Sequence, residues 1–427
     1  DAVYSAFAHA GQKCSASSLL VLVSSAGKSE RIARQLVDAT ASLRVRLPLS
    51  LDSQMGPVVV PDDEKAVRGL TTLGVGEHWV LKPRYLGDGL WTPGIRAGVV
   101  PGSEFHLTEY FAPVIGIMRV DTLEEAIEAV NAVDYGLTSG LQTLDAAELA
   151  VWLDSIQAGN IYVNRGITGA IVRRQPFGGW KRSAIGSTTK AGGPSYLLGL
   201  GDVEPADGQD VKGLADQGTA VLDPRVASLC DAVSGQLDEA DLAGLRHALV
   251  ADASAWRSAY GVNRDVTALA CERNVLRYRP TDVLVRAGVG TELADVVRVM
   301  AAGVRAGGFV SLSVADRLPQ PLQNALQAAG VQVAVEDQGA WDARLAELSA
   351  SGGLGTRVRI LGPREETSAA RWSHASRVTG GSPDIALYTG AVTACPHSEL
   401  LPFLREQAVA ITNHRFGTPL DLAEGLL

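Results

Sequence analysis

Six short apolar runs in the second half of the chain, several of them separated by stretches long enough for a helix, constrain the fold more than any other feature. Apolar strands joined by helices favour a mostly parallel sheet with helices on both faces, because each parallel strand needs a long crossover connection. A helical stretch, 238–260, precedes them. The second half is therefore predicted to be α/β. The predicted strands are DVLVRAG (282–288), FVSLSV (309–314), VQVAVED (331–337), RVRILG (357–362), DIALYTG (384–390) and AVAITN (408–413).

The first half shows the same alternation, so it too is predicted to be α/β. Its predicted helices are 29–43, 121–133 and 145–156, and its predicted strands are 19–24, 114–120 and 160–164. Asp121 is expected to cap the second of these helices. A polar stretch rich in glycine and acidic residues is expected to link the two halves. The expected organisation is a first domain at 1–200, a linker at 201–214 and a second domain at 215–427.

The composition narrows the classes of partner. The 427 residues carry a net charge of −9 without a basic block, which argues against nucleic acid and anionic membranes. No apolar run reaches the ~18 residues of a membrane span, and the sequence contains no signal-peptide pattern. The four cysteines lie far apart without metal-ligand spacing, as in reduced cytoplasmic proteins. Because Asp1 stands inside a helical pattern, we expect this chain to be the C-terminal part of a longer polypeptide. We also expect the protein to be cytoplasmic and homo-oligomeric, and to have no metal site.

Cys14 stands in the segment GQKCS, between a helical run and an apolar strand. A thiolate is the attacking form of cysteine, and only about a few per cent of free thiols ionise near pH 7. Lys13 is an adjacent cation, and Gly11 allows a tight turn. The segment is therefore a candidate nucleophile loop. On local chemistry alone, a small buried residue at a helix–strand junction remains the commoner interpretation.

Five motifs favour the interpretation of Cys14 as a nucleophile over that of a small buried residue. They are GQKCSA (11–16), LTEYFAPVIGI (107–117), GLTSGLQT (136–143), GNIYVN (159–164) and QPFGG (175–179). Together, and in this order, they resemble the aldehyde dehydrogenase superfamily. The stretch 164–197, with Thr-Gly-Ala before QPFGG and Lys-Ala-Gly-Gly-Pro after it, resembles the L-glutamate-γ-semialdehyde dehydrogenases, which act alone or within bifunctional proline utilization A flavoproteins. Trp180-Lys181-Arg182 departs from that pattern, since small residues are commoner there.

The resemblance implies oxidation of L-glutamate-γ-semialdehyde to L-glutamate with NAD⁺, through a thiohemiacetal and a thioester on Cys14. It implies that Glu109 binds the nicotinamide ribose hydroxyls and that Phe111 packs near the nicotinamide. Without the motif, Glu109 would be interpreted as a surface acid and Phe111 as core. The implied general-base Glu and oxyanion Asn lie upstream of Asp1. FAD is expected only if a proline dehydrogenase domain also lies upstream.

The resemblance also implies an anchor for the α-carboxylate of the substrate in the backbone of Gly169 and Ala170. Ser15 is expected to add a hydrogen bond, Phe177 to pack along the aliphatic part of the substrate, and Lys13 to add positive potential. The partners implied are this small molecule and the upstream half of the same polypeptide. Two alternatives remain open: a dehydrogenase of another aldehyde, and a non-catalytic structural fragment.

Several other residues and motifs that could suggest a function are expected to have structural roles instead. Acid–base work by His106 and Glu104 is not part of the implied mechanism, and Asn164 is expected to position a loop. VLVRAGVGTELADVV (283–297) imitates a nucleotide fingerprint but lacks its third glycine, near Asp295, so its glycines are expected to serve a turn. Residues 215–427 resemble the Rossmann-like accessory domain of long proline utilization A proteins, which implies a structural, non-catalytic role. Cys230, Cys271 and Cys395 are expected to be buried.

Overall fold

The structure of the chain, a computed structural model, describes residues 1–187, 189–201, 203, 221–420 and 422–427. The α-helices are α1 (Ala2–Phe7), α2 (Glu30–Ala41), α3 (Glu64–Thr71), α4 (Glu104–Leu107), α5 (Leu123–Asn131), α6 (Ala146–Ser155), α7 (Pro224–Asp231), α8 (Glu239–Ala255), α9 (Leu293–Ala306), α10 (Gln320–Ala328), α11 (Gln338–Ala350), α12 (Ser368–Val378) and α13 (Pro396–Leu400).

The strands are β1 (Leu19–Val23), β2 (His78–Leu81), β3 (Tyr85–Gly87), β4 (Leu90–Trp91), β5 (Gly94–Val99), β6 (Val114–Val120), β7 (Tyr135–Gly136), β8 (Thr138–Leu141), β9 (Asn160–Val163), β10 (Trp180–Lys181), β11 (Arg264–Asp265), β12 (Glu272–Pro280), β13 (Val283–Ala287), β14 (Val310–Val314), β15 (Gln332–Val335), β16 (Thr356–Leu361), β17 (Ile385–Tyr388), β18 (Leu404–Thr412), β19 (His414–Arg415) and β20 (Thr418–Pro419).

The chain divides into two compact units by its internal contacts. The first unit holds Asp1–Arg174, Thr267–Asn274 and Val409–Leu427. The second unit holds Gln175–Val266 and Val275–Ala408. The predicted domain boundaries stay a prediction, and all of the predicted linker except residues 201 and 203 lies outside the described residues.

The first unit is built on a four-stranded sheet with the order β1-β6-β5-β2. The first three strands are parallel, and β2 runs antiparallel to β5. Buried side chains on the two faces include Ile95 and Ile115 in one cluster and Val114 and Met118 in the other. Strands β8 and β9 also run parallel, with Gly140 opposite Tyr162. Because both faces of β6 are covered, its sequence is apolar almost throughout rather than alternating.

The second unit is built on a parallel sheet with the order β15-β14-β13-β16-β17. This is the doubly wound strand order. Successive strands are added on one side of β13 as far as β15, and the next strand, β16, is then added on the other side of β13. Helix α9 lies deep in the unit, with Val297, Val299 and Met300 fully buried. Because α9 is buried on most sides, most of its residues are apolar. The α/β class predicted for this half is confirmed.

Two details of the prediction were wrong, namely the sheet that strand 408–413 joins and the cap of α5. The predicted strand 408–413 is β18, which begins at Leu404 and is not one of the five described strands of the parallel sheet. The helical stretch predicted at 238–260 is confirmed, because α8 continues beyond Ala255 as a π-helical turn, Trp256–Tyr260. Thr122, not Asp121, caps α5, because its hydroxyl accepts from Glu125 N while the Glu125 carboxylate accepts from the Thr122 N–H.

Other predictions hold within a residue or two, among them β1, β6, β9 and the Asp145-capped helix α6. All four cysteines are free, as expected, but only Cys230 is buried; Cys395 is half-buried, and Cys271 is exposed just before β12. Among the described residues, no helix is both long and apolar enough to cross a bilayer, and no His, Cys, Asp or Glu cluster could hold a metal ion.

Candidate active site

Cys14 lies on an exposed turn between a short 3₁₀ helix, Ala8–Gly11, and strand β1. The Ala16 N–H closes this turn by donating to the Lys13 carbonyl over 2.9 Å. His9, Ala10 and Gly11 all have positive φ angles of 55°, 56° and 68°. This left-handed stretch ends the helical run abruptly, and it leaves the thiol in contact with solvent while Ser15 is buried.

Gly11 lets the cysteine turn approach the segment that precedes β6. A Cβ atom at this position would lie 2.3 Å from the Ala112 carbonyl oxygen, so no side chain fits there. The next residue, Gln12, fastens the same contact, because its Nε2 donates to the Phe111 carbonyl over 3.0 Å and its Oε1 accepts from Val59 N over 2.8 Å. The sequence reasoning gave Gln12 no role, although it lies inside the nucleophile motif.

Lys13, Glu109 and Phe111 line one small cavity of about 30 Å³ in the first unit. Phe111 has a φ of 53° and is 37% exposed, so part of it is accessible. Glu109 is also exposed, and no other side chain in the described part of the chain bonds its carboxylate. The structure therefore brings together the two predicted cofactor-binding residues and one predicted substrate-binding residue, within the segment that Gln12 holds against the cysteine turn.

Gly169 and Ala170 lie in the loop that follows β9. Gly169 has a φ of 84°, and no atom lies within 4 Å of where its Cβ would be. Thr168 beside it is buried, and its hydroxyl has no hydrogen-bond partner among the described residues. In the described part of the chain, neither Gly169 nor Ala170 lines the cavity of Lys13, Glu109 and Phe111.

Phe177 lies in the second unit, where its N–H and carbonyl pair with Ala191 at 3.0 and 2.9 Å. Close by in sequence, Trp180 Nε1 donates to the Glu406 carbonyl over 2.9 Å. Arg182 forms an ion pair with Asp384 in which its Nε and Nη2 lie 3.1 and 3.0 Å from the two carboxylate oxygens. Trp180 and Arg182 therefore bond a residue near the start of β18 and the residue just before β17.

Comparison with known proteins finds a family match in the first part of the chain. The model of the aldehyde dehydrogenase family matches residues 1–199. The match covers 199 of the 427 residues, named here the aldehyde dehydrogenase segment. Over 199 residues the chain is 36% identical to 1-pyrroline-5-carboxylate dehydrogenase from Bacillus subtilis, a match that covers 46% of this chain and 38% of that protein.

Two further similarities extend beyond this aldehyde dehydrogenase segment. The bifunctional protein PutA of Rhizobium meliloti is 30% identical over 347 residues, covering 78% of this chain and 26% of that protein. The solved structure of proline utilization A from Corynebacterium freiburgense matches with a TM-score of 0.76 and 38% identity, covering 98% of this chain and 37% of that one. The chain thus spans 38% or less of the length of each of these relatives.

Within the aldehyde dehydrogenase segment, His106 and Glu104 have structural partners. His106 is buried; its Nδ1 accepts from Gly102 N over 2.9 Å, so its Nε2 donates to the Ala129 carbonyl at 2.8 Å. Glu104 accepts from the Tyr110 hydroxyl and lies 3.1 Å from Arg68 Nε. Burial, together with the bond to Glu104, raises the pKa of Tyr110. Both ring nitrogens of His106 are engaged, which fits a residue that holds the segment before β6.

Outside that segment, the glycine turn after β13 is occupied by the neighbouring strand. The Gly288 N–H donates to the Leu361 carbonyl over 3.1 Å, and the Cβ of Pro363 would lie 3.5 Å from a Cβ on Gly290. Helix α9 then begins with Glu292 at its N-cap and Asp295 in its first turn. Negative side chains at a helix N-terminus repel phosphate. That these glycines serve the turn remains a prediction, and this geometry supports it.

Proposed function

We propose that this chain contributes the nucleophile and part of the cofactor and substrate sites of an NAD⁺-dependent dehydrogenase that oxidises L-glutamate-γ-semialdehyde to L-glutamate. The observation that carries the proposal is the exposed thiol of Cys14 on a turn whose neighbour, Lys13, lines one cavity with Glu109 and Phe111. Similarity to 1-pyrroline-5-carboxylate dehydrogenase and to bifunctional PutA proteins supports the role in proline breakdown.

Cys14 would act as the nucleophile. Its thiolate attacks the aldehyde carbon, and the C–S bond forms as the carbonyl electron pair moves to oxygen, which gives a thiohemiacetal. The Cys14 N–H has no acceptor in the described part of the chain, so it is free to donate to that oxygen. After the oxidation step, water attacks the thioester, and the thiolate leaves with its electron pair. The base and the second oxyanion donor are proposed to lie in the upstream part of the same polypeptide.

NAD⁺, when bound, supplies the acceptor for the hydride that leaves the thiohemiacetal carbon. The residues present fit its nicotinamide end. The Glu109 carboxylate, which no other described side chain bonds, offers two oxygens to the two vicinal ribose hydroxyls, and the partly exposed Phe111 offers an apolar contact beside them. Both residues flank Tyr110, which is buried.

The far end of the substrate carries an α-carboxylate and an α-ammonium group. We propose that the Gly169 and Ala170 N–H groups bind the carboxylate, since the space around Gly169 is open. Ser15, Lys13 and Phe177 are proposed as the remaining substrate contacts. The whole polypeptide is proposed to be a cytoplasmic homo-oligomer, with the second unit in a structural role and with FAD only if a proline dehydrogenase domain lies upstream.

The test is NADH production from L-glutamate-γ-semialdehyde by this chain alone and by the chain extended upstream in its gene. We expect activity only in the extended form, because the base and the second oxyanion donor are proposed to lie there. Replacing Cys14 with Ala in the extended form should lower turnover by more than about 10³-fold while NAD⁺ still binds in calorimetry.

The matched control is Cys271→Ala, which removes another exposed thiol and should keep wild-type turnover. Persistence of turnover in Cys14→Ala would refute Cys14 as the nucleophile. If the extended form oxidises propanal faster than the semialdehyde, the substrate assignment is wrong and a dehydrogenase of another aldehyde replaces it.

A further inference from the structure

Ser5 is a buried residue of helix α1 that bonds two separate loops of the first unit. It is 3% exposed. Its backbone carbonyl accepts from the Ser17 N–H over 2.9 Å, and its side-chain Oγ accepts from the Ile167 N–H over 3.1 Å. Ser17 lies three residues after Cys14, and Ile167 lies two residues before Gly169.

The hydroxyl of Ser5 makes a long-range bond where a local one would be easier. A serine inside a helix commonly donates to a carbonyl one turn earlier in the same helix. Here the Oγ reaches a backbone N–H 162 residues further along the chain. The loop comes so close at this point that a Cβ on Gly166 would lie 3.2 Å from the same oxygen.

We propose that Ser5 is a positioning residue that sets the separation between the Cys14 thiol and the backbone that binds the substrate carboxylate. This inference rests on the proposed function. One residue holds the cysteine turn through its carbonyl and the Gly169 loop through its hydroxyl, so the two loops share a single fixed point. A short substrate that must reach both loops tolerates little change in their separation, since a misplacement of about 1 Å can cost ~10²-fold in rate.

The first test measures the bond itself in the chain as it stands. Amide hydrogen exchange at Ile167 should be about tenfold faster in Ser5→Ala than in the wild type, because the acceptor of that N–H is lost. Ser5→Thr keeps an acceptor and should retain most of the protection. Ser139→Ala, at a buried serine of β8, is the matched control and should leave Ile167 exchange unchanged. Equal exchange in Ser5→Ala and Ser139→Ala would overturn the proposal.

The second test separates positioning from general stability, in the chain extended upstream. With L-glutamate-γ-semialdehyde, Ser5→Ala should lower kcat/KM by about 10- to 100-fold, chiefly by raising KM. With propanal, which has no carboxylate to anchor, kcat/KM should stay within about twofold. Ser5→Thr should restore the wild-type ratio of kcat/KM for L-glutamate-γ-semialdehyde to kcat/KM for propanal.

Equal losses on both aldehydes, or no loss on the semialdehyde, would overturn the positioning role. A wild-type enzyme that fails to oxidise the semialdehyde would instead refute the proposed function. The exchange rates at Ile167 do not depend on activity, so they distinguish these two failures.

Discussion

Single residues set the shape of the cysteine turn, and Gly11 is the most restrictive of them. Its φ of 68° and its contact with the Ala112 carbonyl leave no room for a side chain. Gln12 then binds Phe111 and Val59, two residues that come from separate segments. The turn that carries Cys14 is therefore held against the segment of Glu109 and Phe111 by one glycine and one amide, while the cysteine itself is exposed.

Replacing Gly11 with Ala should lower the free energy of unfolding by at least about 2 kcal/mol more than replacing Gly102 with Ala. Both glycines have positive φ, at 68° and 79°, so both variants carry the left-handed strain of about 1–2 kcal/mol. Only Gly11 adds a clash with backbone, since nothing lies within 4 Å at Gly102. Urea unfolding measures the difference, and equal costs in the two variants would show that the turn moves away without penalty.

At the scale of elements, the start of α5 shows how a difference of one position in the sequence decides which residue caps a helix. Asp121 and Thr122 are both residue types that cap helices. Thr122 precedes Glu125 by three residues, which is the spacing of a capping box, and the structure contains both of its bonds. The Asp121 N–H donates to the Glu125 carboxylate over 2.8 Å, so Asp121 takes part only through its backbone.

Thr122→Ala should destabilise the first unit by about 1 kcal/mol, because the Glu125 N–H loses its acceptor. Asp121→Ala should cost less than about 0.5 kcal/mol, since its side chain does not hold the cap. Thermal unfolding of the two variants checks this, and a larger loss in Asp121→Ala would return the cap to that residue.

At the scale of the whole molecule, Lys190 shows how the second unit buries a charge. The side chain is 3% exposed, its Nζ donates to the Gly178 carbonyl, and its backbone N–H donates to Glu406 over 2.8 Å. Burial lowers the pKa of Lys190 to about 7, and the nearby charge of Glu406 only partly offsets this. The bonds join the segment that follows Phe177 to strand β18.

The stability of the second unit should rise with pH between 7 and about 10. In this window the unfolded Lys190 binds a proton and the folded one does not, so the free energy of unfolding gains about 1.4 kcal/mol per pH unit from this group. Lys190→Met should remove that contribution, and Lys65→Met, at an exposed lysine, should keep it. Urea unfolding at pH 7, 8 and 9 measures the slope, and identical slopes in Lys190→Met and the wild type would contradict the lowered pKa of the buried amine.

Much of the fold was predictable because its causes are local. The apolar runs of β6 and β13 and the Asp145 cap of α6 are readable from neighbouring residues. The candidate site was predictable only through motifs. These named Cys14, Glu109 and Phe111, but they could not show that Lys13 shares a cavity with the latter two. The roles of all the site residues remain predictions.

The sequence by itself determined the α/β class and the residue types of the site, since apolar periodicity and motif chemistry depend on near neighbours. Tertiary structure alone decided the sheet order, the exclusion of β18 from the parallel sheet, and the partners of Ser5 and Trp180. The bond from Ser5 to Ile167 spans 162 residues and that from Trp180 to Glu406 spans 226. Such contacts form only when distant segments pack together, and no local pattern records which segments those are.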